Sequence, residues 1–168
     1  MSAYKTINPT TGKVEKTFDE HTDAQMFAKL DKAHALWKDD WRFRSYEERR
    51  KVLKAAADIL RRDKEHHARL IGLEMGKAFV EALGEIEISA DILAYYADNA
   101  GKFLAPRKLE TTNGNAEVVN QSIGVIYCVE PLTFPYYQLV RVAGPLLVAW
   151  LLYPSPSPRI LSIHTIAS

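Results

Sequence analysis

One cysteine stands in 168 residues, so neither an intramolecular disulfide nor a cysteine-built metal site is available. Histidine offers no substitute, because His66 and His67 are adjacent and on a helix point about 100° apart, unlike an i, i+4 ligand pair. They read as helix-surface histidines. Neither sign of charge dominates: 22 basic residues face 21 acidic ones for a net +1. That gives no field to gather nucleic acid or an anionic membrane, and neither is expected as a partner. Long apolar runs are also missing, the most apolar window, 142–153, being about half of the ~20 residues that span a bilayer. Met1-Ser2-Ala3-Tyr4-Lys5 holds no apolar stretch of the signal-peptide kind, which makes a cytoplasmic protein the expectation. No G-x-G-x-x-G or G-x-x-x-x-G-K-[ST] loop occurs, and no repeat of solenoid period is visible.

What is present is ordinary globular composition, 47% hydrophobic and 26% charged, in a length suited to one domain. Residues 4–18 alternate around Pro9-Thr10-Thr11-Gly12, predicting a hairpin with a loop at 8–13. Thr22 with Gln25, and Ser45 with Glu48, have the spacing of capping boxes. They predict helices over 22–38 and from 45 to about 66, the second carrying Val52, Leu53, Ala56, Ile59 and Leu60 at helical spacing. Leu70, Ile71, Leu73 and Met75 extend that pattern to a break at Gly76. A long helix is expected over 77–103 with Val80, Leu83, Ile86, Ala90, Leu93, Ala97 and Ala100 on its apolar stripe. Glu81, Glu85 and Glu87 are read as its polar side, and the mixed charges from Arg49 to Lys64 as another solvated face. Beyond Pro106, segments 108–112 and 117–121 flank Asn113-Gly114-Asn115, a hairpin signal.

The most informative stretch is 122–150. Ile123-Gly124-Val125-Ile126-Tyr127-Cys128-Val129 is β-branched and apolar, as expected of a parallel strand covered on both faces. An elbow follows, Glu130-Pro131-Leu132-Thr133-Phe134-Pro135, and Pro135 suits the first position of a helix. Strand, turn and helix make the first half of a nucleotide-binding α/β unit. Past Trp150, Pro154-Ser155-Pro156-Ser157-Pro158 forbids a helix, and 151–168 is expected to be an extended or disordered tail.

This order resembles the aldehyde dehydrogenase superfamily, in which a Gly-Val-Ile strand enters a Pro-Trp-Asn-Phe-Pro elbow followed by a helix. Asn8-Pro9-Thr10-Thr11-Gly12-Lys13, Leu73-Glu74-Met75-Gly76-Lys77 and Tyr95-Tyr96-Ala97-Asp98-Asn99-Ala100 stand in that family's order and spacing. Bacterial succinate-semialdehyde dehydrogenases are the branch it looks most like. The resemblance runs from Tyr4 to about Ala149 and covers the N-terminal part of a longer polypeptide. It implies an α/β fold reduced to the N-terminal helical part and hairpin, with only the first strand and helix of the Rossmann-like unit. Residues 1–150 are then an incomplete cofactor-binding region and 151–168 a non-family tail. A frameshift or early stop accounts for that tail more simply than a new function does.

By the same resemblance Thr133 stands where the family has an asparagine that donates to the reacting oxyanion. A threonine hydroxyl donates from a shorter arm, and losing such a donor costs roughly 10²–10³ in rate. The plainer reading, favoured here, is a cap for the helix opening at Pro135. The backbone of Val129, Glu130, Pro131, Leu132 and Thr133 would lie along the nicotinamide of NAD or NADP, with Leu132 replacing a tryptophan. Arg141 matches an arginine that holds a substrate carboxylate, against the plainer reading of a solvated head on an apolar stem. Cys128, inside the apolar strand, is read as core packing and not as the nucleophile, whose motif in the family lies further downstream. The expectation is a relative of NAD(P)-dependent aldehyde oxidoreductases that is inactive alone and does not hold the dinucleotide. The alternatives are an interaction module that associates with itself or with an intact family member, and a truncated product without a role.

Overall fold

A computed structural model describes residues 4–149. The expected non-family tail at 151–168 lies outside them. Strands β1 (Tyr4–Ile7) and β2 (Val14–Phe18) pair antiparallel around the predicted loop, whose Asn8 side chain accepts from the Thr10 and Thr11 amides. Helix α1 (Asp23–Asp39) starts at Thr22 and α2 (Tyr46–Arg62) at Ser45, both with the full reciprocal capping box. Between them a 3₁₀ turn spans Trp41–Phe43.

The helix expected to run to about 66 divides at Asp63, which ends α2 and opens α3 (Lys64–Met75). Aspartate is a weak helix former and a favourable neighbour of a helix N-terminus, so its carboxylate suits the break. Helix α3 stops at Gly76 in the left-handed conformation, φ 68°. A Cβ there would lie 3.0 Å from Pro9, so the first hairpin loop and the end of α3 touch. Helix α4 (Phe79–Phe103) is the spine of the molecule, packed by α2, α3 and α5 (Pro135–Val148). Strands β3 (Arg107–Leu109) and β4 (Ala116–Val118) form the second hairpin, shorter than expected, with Gly114 at φ 77° in its turn.

Small residues set the packing distance along α4. Ala82, Ala90, Ala97 and Ala100 are buried beside Ile86 and Leu93, and they admit Leu53 of α2, Ile71 of α3 and Val140 of α5. Each buried Leu or Ile contributes about 1.5–3 kcal/mol of transfer free energy. The stripe differs from the expected one at its start: Val80 is 79% exposed, whereas Glu85 and Ser89 are buried. Asp98, in the Tyr95–Ala100 motif, takes ion pairs at 2.9 Å from Arg50 and Lys54 of α2 on the surface above.

The strand expected over 123–129 forms no ladder among the described residues, where Val125 makes a single bridge. Ile123, Tyr127 and Val129 are 83%, 67% and 78% exposed. A parallel strand takes its hydrogen bonds from neighbours on either side, and the two described sheets contain only β1 with β2 and β3 with β4. The segment is held instead by Trp37 of α1, whose indole N–H donates to Ser122 Oγ at 2.9 Å. Five α-helices and two small sheets therefore make up the described fold, with the helix of the expected α/β unit present and its strand unformed.

Candidate functional site

The elbow is open to solvent. Pro131, Leu132, Thr133 and Phe134 are exposed, Glu130 is half-buried, and the chain turns at Leu132 and Thr133. Pro135 is the first residue of α5, as expected, but the cap is not Thr133. Phe134 occupies the N-cap position and its apolar side chain accepts nothing. The free amides of the first turn are taken by a side chain from another helix. Glu85 Oε1 accepts from the Tyr136 amide at 3.0 Å and the Tyr137 amide at 3.3 Å.

Glu85 was expected on a solvated face, yet its side chain is 1% exposed. Its register on α4 explains this: it stands three residues after buried Ala82 and four before buried Ser89, on the stripe that faces α5. Its other oxygen pairs with Lys77, whose ammonium also sits 3.7 Å from the Phe134 ring centroid. The Leu73–Lys77 motif thus reaches the elbow through its last residue.

His67, expected on the helix surface, is half-buried, with Nδ1 2.9 Å from the Tyr136 hydroxyl. Its Nε2 is buried without a hydrogen-bond partner among the described residues. Burial, then His66, pushes the imidazole below its ordinary range, with Asp63 opposing. Burial, then the charges of Glu74 and Glu85, pushes Tyr136 up to about 12. The neutral forms of both rings are therefore favoured under the elbow.

The far end of α5 is anchored in the opposite sense. Arg49, expected on a solvated face, is fully buried; its Nε donates to the Val148 carbonyl at 3.0 Å and its guanidinium also donates to the Arg44 carbonyl. Burial lowers it to about 10, with Glu48 opposing. Trp41 donates to the Leu147 carbonyl at 3.1 Å. A carboxylate at the N-terminus and a guanidinium at the C-terminus match the helix dipole at both ends.

Arg141 is exposed on α5 and makes no ion pair among the described residues. Cys128 is half-buried, not enclosed in a core, and burial together with the Glu130 charge pushes its thiol up. That is the reverse of what a nucleophile needs. No group of three His, Cys, Asp or Glu that could hold a metal occurs among the described residues, and no described helix is long and apolar enough to cross a membrane.

The first turn of α5, with its Tyr136 and Tyr137 amides taken by a carboxylate, does not offer them to a phosphate.

The chain is 37% identical to a succinate-semialdehyde dehydrogenase [NADP(+)] of Deinococcus radiodurans over 145 residues, which are 86% of this chain and 30% of that protein. A probable succinate-semialdehyde dehydrogenase [NADP(+)] of Synechocystis is 37% identical over 88% of this chain and 32% of its own length. The crystal structure of succinic semialdehyde dehydrogenase from Streptococcus pyogenes with NADP+ matches with TM-score 0.89 and 42% identity over 99% of this chain and 38% of that one. The chain spans about a third of the length of these relatives and corresponds to the N-terminal part of their fold. The family model for aldehyde dehydrogenases matches residues 1–153, and the chain belongs to the aldehyde dehydrogenase family.

Proposed function

We propose that this chain carries the nicotinamide-side elbow and the substrate-carboxylate arginine of an NAD(P)-linked enzyme of the succinate-semialdehyde type, and that these 168 residues are inactive by themselves. The observation that carries the reading is the contrast between an exposed turn at 131–134 and the buried charged groups that hold α5 behind it. A site that receives a ring needs an open turn on a well-packed support, and the exposed residues 131–134 ahead of α5 support that reading.

NAD(P)+ would supply the hydride acceptor. The residues of this chain would do the rest of the binding: the backbone of Val129, Glu130, Pro131, Leu132 and Thr133 against the ring, and the planar fork of Arg141 on a carboxylate. Thr133 is a reduced oxyanion donor with one short O–H. The same geometry argues that the 168 residues alone do not retain the dinucleotide, since they offer no glycine-rich loop and no free helix N-terminus at the elbow.

Aldehyde oxidation also needs a thiolate and a base that activates water. Cys128 is the only thiol, and its raised pKa supports the absence of a nucleophile in this chain. The test is a dehydrogenase assay of the purified chain with NADP+ and succinate semialdehyde beside a Cys128→Ser control. The expected outcome is no turnover in either. Turnover in the wild type that the control lacks overturns the reading.

A second reading rests on the exposed apolar side chains of 123–134. They support an interaction module that pairs with its own copies or with an intact family member.

A further inference from the structure

We infer that Glu85, fixed by Lys77, is a positioning residue for the elbow: its buried carboxylate is the cap that the sequence of the elbow itself cannot provide. Phe134 at the N-cap has no acceptor and Pro135 has no N–H, so the next two amides, of Tyr136 and Tyr137, are the donors left to satisfy. Glu85 Oε1 takes both of them. Ordinary caps are local residues that accept from the second or third helical amide. Here the acceptor comes from the middle of α4, 51 residues earlier in the chain.

Three features make this more than a packing contact. The acceptor is charged and enclosed, so its hydrogen bonds are of the strong kind and leaving them unmade is costly. Lys77 balances the charge on the second oxygen while covering the Phe134 ring, so one ion pair touches both the first turn of α5 and an aromatic residue of the elbow. And α4 supplies Ala82, Ile86, Ala90, Leu93, Ala97 and Ala100 to the core, so the cap ties a solvent-exposed turn to the helix that α2, α3 and α5 pack against. The consequence for catalysis rests on the elbow reading given above; the positioning does not.

Amide hydrogen exchange and backbone NMR shifts of the 168-residue chain test it, with Glu85→Met and Glu85→Gln compared with wild type. Methionine keeps the bulk and removes the acceptor. Exchange at the Tyr136 and Tyr137 amides is expected to quicken by at least about tenfold, the scale of a lost hydrogen bond to a charged group. The amides of Ile59 in α2 and Leu93 in α4 are expected to stay within about threefold, since they report the unaltered core. Glutamine retains an oxygen acceptor, so protection at the two amides is expected to survive while their proton shifts move upfield with the loss of charge.

A folded methionine variant with unchanged exchange at Tyr136 and Tyr137, or a slackening spread evenly over α2 and α4, overturns the inference. So do unmoved shifts in the glutamine variant, which decides the matter if methionine prevents folding. Turnover in the assay proposed above would overturn the functional reading and leave this inference intact, and unchanged exchange does the reverse.

Discussion

Tyr136 and His67 meet beneath the elbow in surroundings that hold several charges: Glu74 and Glu85 act on the phenol, His66 and Asp63 on the imidazole. The imidazole is held below its ordinary value chiefly by burial. In the unfolded chain it titrates near ~6.5. As pH falls through that region the unfolded state takes up a proton that the folded state refuses, so stability is full above about 6.5 and declines below it. Tyr136 works at the other end, because its folded value of about 12 exceeds the unfolded ~10. Its contribution is whole below about 10 and is lost as pH rises toward 12. Replacing His67 by glutamine leaves an acceptor for the phenol and removes the titration. Urea unfolding at about pH 7.5 and about pH 5 should therefore show a larger drop for wild type than for His67→Gln. Equal drops would remove His67 from the account.

At the scale of elements, α1 and α2 offer a controlled comparison, because each begins with the same reciprocal box but only α2 contributes to the core. Helix α1 has no buried residue, while α2 buries Leu53, Ala57 and Leu60. Ser45→Ala should lower global stability by about 1 kcal/mol, read as a shift in the urea midpoint. Thr22→Ala, chemically the same loss, should fray α1 locally, raising exchange at Gln25 and Met26 with little change in the midpoint. Equal midpoint shifts would mean that α1 is coupled to the core more tightly than its packing indicates. These boxes, the Asn113-Gly114 turn, the stop at Gly76 and the start at Pro135 were all legible in the sequence because each is settled within a few residues. The elbow was legible for the same reason. Its supports were not: Glu85, Arg49 and His67 look like solvent-facing charges or surface histidines until partners 51, 99 and 69 residues away are known. The strand at 123–129 failed in the converse way, since apolar β-branched residues state a preference but only neighbouring strands can complete it.

For the whole molecule, two regions of different character are joined by α5. Helices α2 to α5 enclose a continuous apolar core around α4, whereas 123–134 presents Ile123, Tyr127, Val129, Leu132 and Phe134 to solvent in close succession. Runs of exposed β-branched and aromatic residues without a paired edge are the usual seeds of association, whether with a specific partner or with further copies. Self-association should therefore be governed by this segment and be nearly independent of core stability. Charges at its two most exposed large apolar side chains, Ile123→Lys and Val129→Lys, should repel a second copy without cost to the core, because neither side chain is among the packed residues. Sedimentation equilibrium over a concentration series should show the average mass of wild type rising and that of the double variant staying at the monomer value of 19.0 kDa, with equal urea midpoints. If both proteins associate alike, the contact lies elsewhere, and the exposed face of α1 with Met26, Phe27 and Leu30 becomes the surface to alter next. If neither associates, copies of this chain do not recognise one another through 123–134, and pairing with an intact family member is the form of the interaction reading that survives.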